Sequence, residues 1–208
     1  MKLSRIAALV LAAGLVVVSC TRTRSTGGAL TPVRMAVGGQ GQLVYLPITL
    51  AQSLGYYRDE GLDVTIEDFA GGAKALEALI GGSADVVSGF YDHTIQLAAQ
   101  GKWLTAFVTM LRVPGLVLAA VPGASHRVAR VEDLKGARIG ITAPGSSSQM
   151  LVEYLLDRHG LAASDVSFVG IGAGATAVAA FEHQQVDAGI LAEPARSEIE
   201  RRTGPLPL

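Results

Sequence analysis

Two stretches of the chain, GAKALEALIGGSADVVSG at 72–89 and GATAVAAFEHQQVDAGIL at 174–191, coincide at five of 18 positions when laid together with a shift of 102. The shared residues pair Gly72 with Gly174, Ala73 with Ala175, Ala75 with Ala177, Ala78 with Ala180 and Asp85 with Asp187. Each copy reads as a glycine-started amphipathic helix, a turn, an aspartate and a buried strand. In an Ala/Gly-rich chain a repeat of this size suggests, without proving, a fold made of two similar units. The aspartate is assigned a structural role, closing the turn that enters the strand.

The rest of the pattern agrees. Strands are predicted at 33–37, 63–67, 85–88, 103–110 and 115–121, with helices at 48–54, 73–80 and 91–100 between them. Pro47 suits a first helical turn and Gly55 a helix stop. After Pro122-Gly123 the order restarts, with strands at 137–141, 166–171 and 186–191 and helices at 147–159 and 173–183. Strand–helix alternation at this spacing predicts parallel pairing in an α/β fold. The expected organisation is a first lobe at 33–121 and a second at 122–208, joined near 121–127. A cleft between two such lobes is a common place for a small ligand.

Within the second lobe, 133–160 carries the clearest local signal. An apolar strand delivers the loop Gly145-Ser146-Ser147-Ser148 onto a helix whose apolar residues include Leu151, Val152, Leu155 and Leu156. Ser146-x-x-Gln149 fits a capping box and Gly160 a C-terminal stop. Free backbone N–H groups and the positive end of the helix dipole favour an anion there. Two readings stay open: the serines only cap the helix, or they cap it and also cradle a ligand.

The apolar fraction, 50%, is inflated by the N-terminus. Lys2 and Arg5 precede a 13-residue apolar run at 6–18, too short for a comfortable bilayer span. Val17-Val18-Ser19-Cys20 closes it and resembles a bacterial lipobox. Cys20 is the chain's single cysteine, which excludes an internal disulfide and supports lipidation there. The expected layout is a signal peptide at 1–19 and a lipid-anchored tether at 20–32, placing the protein in the periplasm or on the envelope exterior. Without residues 1–19 the net charge is −3, which offers no basic field for nucleic acid.

Several further segments carry a family resemblance. Gly55-Tyr56-Tyr57-Arg58-Asp59-Glu60-Gly61-Leu62-Asp63-Val64, the Gly-Gly segment with Ala84-Asp85, Glu132-Asp133-Leu134-Lys135-Gly136-Ala137-Arg138-Ile139-Gly140, and Val186-Asp187-Ala188 with Glu193-Pro194 are similar to the solute-binding proteins of nitrate/sulfonate/taurine-type ABC transporters. The same superfamily includes binders of thiamine-pyrimidine and riboflavin precursors. The resemblance implies a two-lobed periplasmic-binding-protein architecture (type II) that closes on its ligand by a hinge. Family members run on past this point, so it also implies an incomplete second lobe.

Carried onto this chain, the family's strand-end loops place ligand-binding candidates at Gln40, Gly41, Gly71, Gly72, Gly89 and Tyr91 in the first lobe. In the second they fall at Gly145, Ser146, Ser147, Ser148, Gly172 to Gly174, and Glu193. The position agrees with the general rule for open α/β sheets. Tyr91 or Tyr45 could offer a ring face. The implied partners are a small solute, a membrane permease with its ATPase, and the membrane itself through Cys20; a monomer is expected.

Groups for catalysis are not arranged in the sequence. Gly145-Ser146-Ser147-Ser148-Gln149 lacks the second glycine of a nucleophile elbow, and no P-loop occurs. His93, His126, His159 and His183 stand singly, without metal-ligand spacing. Neither a cofactor nor a metal is expected. The favoured ligand is a small anion such as a sulfonate, nitrate or carboxylate; the alternatives are a flat pyrimidine or flavin precursor as ligand, or a lipoprotein of the same fold that is sensory or a non-functional truncated remnant.

Overall fold

In the computed structural model, residues 28–207 are described. The expected signal peptide, Cys20 and most of the tether lie outside them. From Thr31 onward the chain forms one unit built on two sheets. The first contains β1 (Thr31–Gly38), β2 (Leu62–Phe69) and β3 (Val86–Ser88) in the order β2-β1-β3, all parallel. Connecting them are α1 (Leu46–Ser53), the short α2 (Tyr56–Asp59) and α3 (Gly72–Ile80), and α4 (Asp92–Ala99) follows β3.

The second sheet contains β4 (Leu116–Ala120), β5 (Arg138–Ile141), β6 (Ser167–Gly170) and β7 (Ala188–Ala192), in the order β4-β7-β5-β6. Here α5 (Ser147–Arg158), α6 (Ala175–Glu182) and α7 (Ala195–Thr203) follow β5, β6 and β7. The sequence repeat is therefore a structural one: β6-β5-β7 reproduces β2-β1-β3, with the same parallel pairing. β4 is an addition, antiparallel to β7.

Two expectations are corrected. The segment 115–121 does form a strand, but in the second sheet, so the chain passes between sheets before Leu116 rather than near 121–127. The segment 103–110 forms no strand. Its apolar and β-branched residues favour extended backbone, but a strand also needs a neighbour to pair with. A helix not anticipated, α7, begins just after Pro194 and buries only Ala195 and Ile199.

The second half holds most of the core. One cluster, around Phe181, Leu191 and Ile199, packs α6 and α7 on one face of the sheet; another, around Ile139, Val152 and Leu156, packs α5 on the other. β7 is buried along its whole length, as suits a strand covered on both faces. Glycines on paired strands make room for this packing. A Cβ on Gly189 would stand 2.9 Å from the Phe181 ring, and one on Gly140 would stand 2.6 Å from Ile171 Cδ1. The first half has smaller clusters, one of them chiefly alanine (Ala36, Ala75, Ala78, Ala84).

The repeated aspartates are structural, but instead of closing the turn themselves they grip an arginine on the neighbouring strand, a partner that the repeat did not reveal. Asp85 accepts from the backbone N–H and Nε of Arg34 and pairs with its Nη2 at 2.7 Å. Asp187 accepts from the same three groups of Arg138, with Nη2 at 2.8 Å. The Asp85 and Asp187 N–H groups donate in return to the Arg34 and Arg138 carbonyls. Each arginine also donates to carbonyls of the preceding turn, Gly82 in one half and Gln184 and Gln185 in the other. The exposures differ: the Asp187 side chain is 4% exposed and that of Asp85 is 46%.

Hydrogen bonding from its arginine holds each carboxylate below its ordinary range, Asp85 at about 2. A depressed folded-state pKa contributes stability that is complete above the unfolded value and lost as pH falls through the folded one. For Asp85 that window runs from about 4 down to about 2. Asp187→Ala is expected to destabilise the fold by about 2 kcal/mol, because it leaves part-buried N–H donors of Arg138 without a partner, whereas Asp85→Ala has a smaller effect. Urea melts at neutral pH check the difference. The same melts on acidification check that each variant loses part of the acid dependence.

Candidate functional site

The C-terminal strand ends of the two sheets meet. From the first half come the turn after β1, the Ala70-Gly71-Gly72 segment after β2, and Ser88 to Asp92 after β3. From the second come Thr142 to Ser148 after β5, Gly172 to Gly174 after β6, and Glu193 after β7. The approach is close: a Cβ on Gly39 would stand 2.8 Å from Ala173 Cβ, and one on Gly71 3.2 Å from Thr142 Oγ1. Two hydrogen bonds cross the contact. Leu43 N–H donates to the Glu193 carbonyl at 2.8 Å, and Ser147 Oγ donates to Asp92 Oδ1 at 2.6 Å. The cavity left between Gln42, Thr142, Gly172 and Gly174 is about 10 Å³, room for one water at most. In this closed arrangement the contact leaves no room for a solute larger than water.

Inside the first half Gly38 permits the tightest contact, since a Cβ there would lie 2.2 Å from the Gly72 nitrogen. The turn after β1 is fixed by Asp68, whose Oδ1 accepts from the N–H groups of Gly39 and Gln40 at 2.9 and 2.8 Å. Gln42 is buried and donates to the Gly38 and Gly39 carbonyls. Gln40 Nε2 reaches Thr49 Oγ1, while Gly41 faces open space.

In the serine loop all three serines are buried. Ser148 Oγ accepts from Thr142 N–H at 2.9 Å and bonds Ser146 Oγ at 2.6 Å. Ser147 is taken up by Asp92. The capping-box pattern is realised one residue early: Gln149 Oε1 accepts from Gly145 N–H, and Ser146 makes no side-chain cap. The hydroxyls are thus engaged within the protein in this closed arrangement. Glu193 Oε2 accepts from Ser197 N–H and so caps α7, a second role that its sequence position did not reveal.

Gly89 and Tyr91 border a different space, an apolar cavity of about 780 Å³ between the open edge of β3 and residues 104–114. Tyr91 is exposed, and Tyr45 is buried in the first-half core, which removes it as a ring face. Burial pushes the Tyr45 hydroxyl up to about 12. His93, read from the sequence only as a scattered histidine, lies in this region: it is buried, its Nε2 has no hydrogen-bond partner, and burial lowers its pKa. Ser88 Oγ is buried and unpartnered as well. Among the described residues no cluster of three or more His, Cys, Asp or Glu could hold a metal ion.

Residues 42–202 match the family model described as NMT1/THI5 like. The chain belongs to that family. Among curated relatives, the 4-amino-5-hydroxymethyl-2-methylpyrimidine phosphate synthase of Schizosaccharomyces pombe is 30% identical over 76% of this chain and 44% of its own length. The putative binding protein YtlA of Bacillus subtilis is 29% identical over 56% of this chain and 35% of its own. The chain thus spans less than half the length of these relatives.

Solved structures extend the likeness. A Bordetella bronchiseptica RB50 protein is 47% identical with a TM-score of 0.77, covering 85% of this chain and 55% of its own. The alkanesulfonate-binding protein SsuA of Xanthomonas axonopodis pv. citri, bound to MOPS, shares the fold at TM-score 0.61 and 24% identity, over 87% and 61% of the two chains. The nitrate-binding protein NrtA of Synechocystis PCC 6803 shares it at TM-score 0.66 and 17% identity, over 83% and 49%. The expected periplasmic-binding-protein-like α/β fold is found.

The bond between Ser147 and Asp92 is expected to stabilise the closed contact. In a double-mutant cycle of Ser147→Ala and Asp92→Ala, the coupling energy should be about 1–2 kcal/mol, as for hydrogen bonds to a charged group. Denaturant melts of the four proteins measure it.

Proposed function

We propose that this chain is the substrate-binding component of an ABC importer, holding a small solute between its two sheets and delivering it to a membrane permease. The observation that carries the reading is the closed contact of glycine-rich strand ends across two pseudo-equivalent halves, where parting of the halves would admit a solute. The fold shared with sulfonate- and nitrate-binding proteins supports it. The proposed role is binding rather than catalysis.

The favoured solute is a small anion. On opening, the N-terminus of α5 would present backbone N–H groups, with Gln40, Gly71, Gly72 and the serine loop around it. A pyrimidine precursor is the second reading, favoured by the identity shared with the S. pombe pyrimidine phosphate synthase. The protein would work outside the cytoplasmic membrane, tethered through lipid on Cys20.

A thermal melt of the protein with sulfonates, nitrate, carboxylates and pyrimidines separates these readings. A ligand at about 100 times its Kd adds about 2.7 kcal/mol, which moves the melt by several degrees. A shift with one anion class supports the first reading, a shift with pyrimidines alone the second, and none with any compound overturns both. Radiolabelled fatty acid fed to producing cells should label the wild type and leave Cys20→Ala unlabelled.

A further inference from the structure

The bond between Ser147 Oγ and Asp92 Oδ1 joins two groups of opposite preference across the contact between the halves. Ser147 opens α5, where Ser146 makes no side-chain cap, and the first-turn N–H groups of a helix favour an acceptor. Asp92 opens α4, is half-buried, and is itself an acceptor; Gln96 Nε2 donates to its other oxygen at 2.9 Å. When the halves part, the bond between Ser147 and Asp92 breaks, and each side then lacks a different thing. The α5 side needs an acceptor, and the Asp92 side needs a donor.

The charges nearby point the same way. Among the described residues, the strand ends and loops that meet carry the carboxylates of Asp68, Asp92 and Glu193 and no lysine or arginine. Lys74 and Arg196 stand next to them, but Lys74 pairs with Glu77 at 2.8 Å, and Arg196 pairs with Glu193 and Glu200 at 3.7 and 3.1 Å. Asp68 is engaged by the N–H groups of Gly39 and Gln40, and Glu193 by that of Ser197. Asp92 is the carboxylate that loses a donor when the contact opens. A solute that is only an anion would bring a second negative charge towards it, with no cation in these loops to offset the pair.

We propose that Asp92 is a specificity-determining residue, which requires an amino group on the solute beside the acid group that faces the N-terminus of α5. The solute class is a small zwitterion, an aminosulfonate or aminocarboxylate, whose two ends replace the bond between Ser147 and Asp92. This selection rests on the importer reading above and narrows it, since an unsubstituted anion such as nitrate satisfies one side only. A site built to bond a substrate N–H rejects the analogue lacking it, because its own polar group is left unpaired.

Isothermal titration calorimetry on the full chain compares 2-aminoethanesulfonate with ethanesulfonate, and 3-aminopropanoate with propanoate. For the wild type, the amino-bearing member of at least one pair should bind at least tenfold tighter than its partner. Asp92→Asn keeps the size of the side chain and an oxygen for Ser147 but removes the charge, and it should erase most of that ratio. Ser147→Ala removes the bond and leaves the carboxylate, so it should weaken both members alike and keep the ratio. Equal binding of both members by the wild type, or a ratio that survives Asp92→Asn, would overturn the role of Asp92 and leave the importer reading standing. No binding of any of the four compounds would overturn it as well, and the importer reading falls with it only if the wider panel of the thermal melt is also silent.

Discussion

In each half an arginine on the strand between the other two of the repeat, Arg34 on β1 and Arg138 on β5, grips an aspartate at the entrance to the third strand. The clamp joins residues 51 apart in one half and 49 apart in the other, through a paired guanidinium and a reciprocal backbone exchange. It fixes where β3 and β7 begin relative to β1 and β5. Since the side-chain period of a strand is two, a slip of one residue would turn every core side chain outward. Everything at the opposite strand ends, the glycine turns and the serine loop, inherits its position from that register. The bidentate geometry matters as much as the charge, and only arginine supplies it.

Much of this was legible in the sequence. The repeat around Asp85 and Asp187 announced two like units, and the glycines marked the helix stops. Arg34 and Arg138 were not legible as partners, because an isolated arginine reads as solvated charge and its aspartate lies some fifty residues away. α7 was missed because its buried stripe is only Ala195 and Ile199 on an otherwise charged helix. The segment 103–110 was misread for the opposite reason: its residues suit a strand, but pairing is a property of the sheet.

The candidate site was legible in outline and hidden in detail. Strand-end loops were expected to gather, and those of the two halves meet. Which group bonds to which could not be read, since serine, glutamine and aspartate suit many partners at similar cost. Ser148 turns to Thr142, Gln149 to Gly145, and Glu193 to the helix behind it. Gly89 and Tyr91 fall beside a second cavity because β3 keeps an open edge, a feature of topology rather than composition.

The carboxylate of Asp68 already occupies the N–H groups of Gly39 and Gln40, and the hydroxyl of Ser148 that of Thr142. A solute using those donors meets an incumbent instead of bare amides. On the proposed reading, its capture would be a ligand exchange, in which one acceptor leaves as another arrives and the number of hydrogen bonds changes little. Selectivity would then fall to shape and to the solvation each acceptor gives up, and release would need only the resident side chain to swing back.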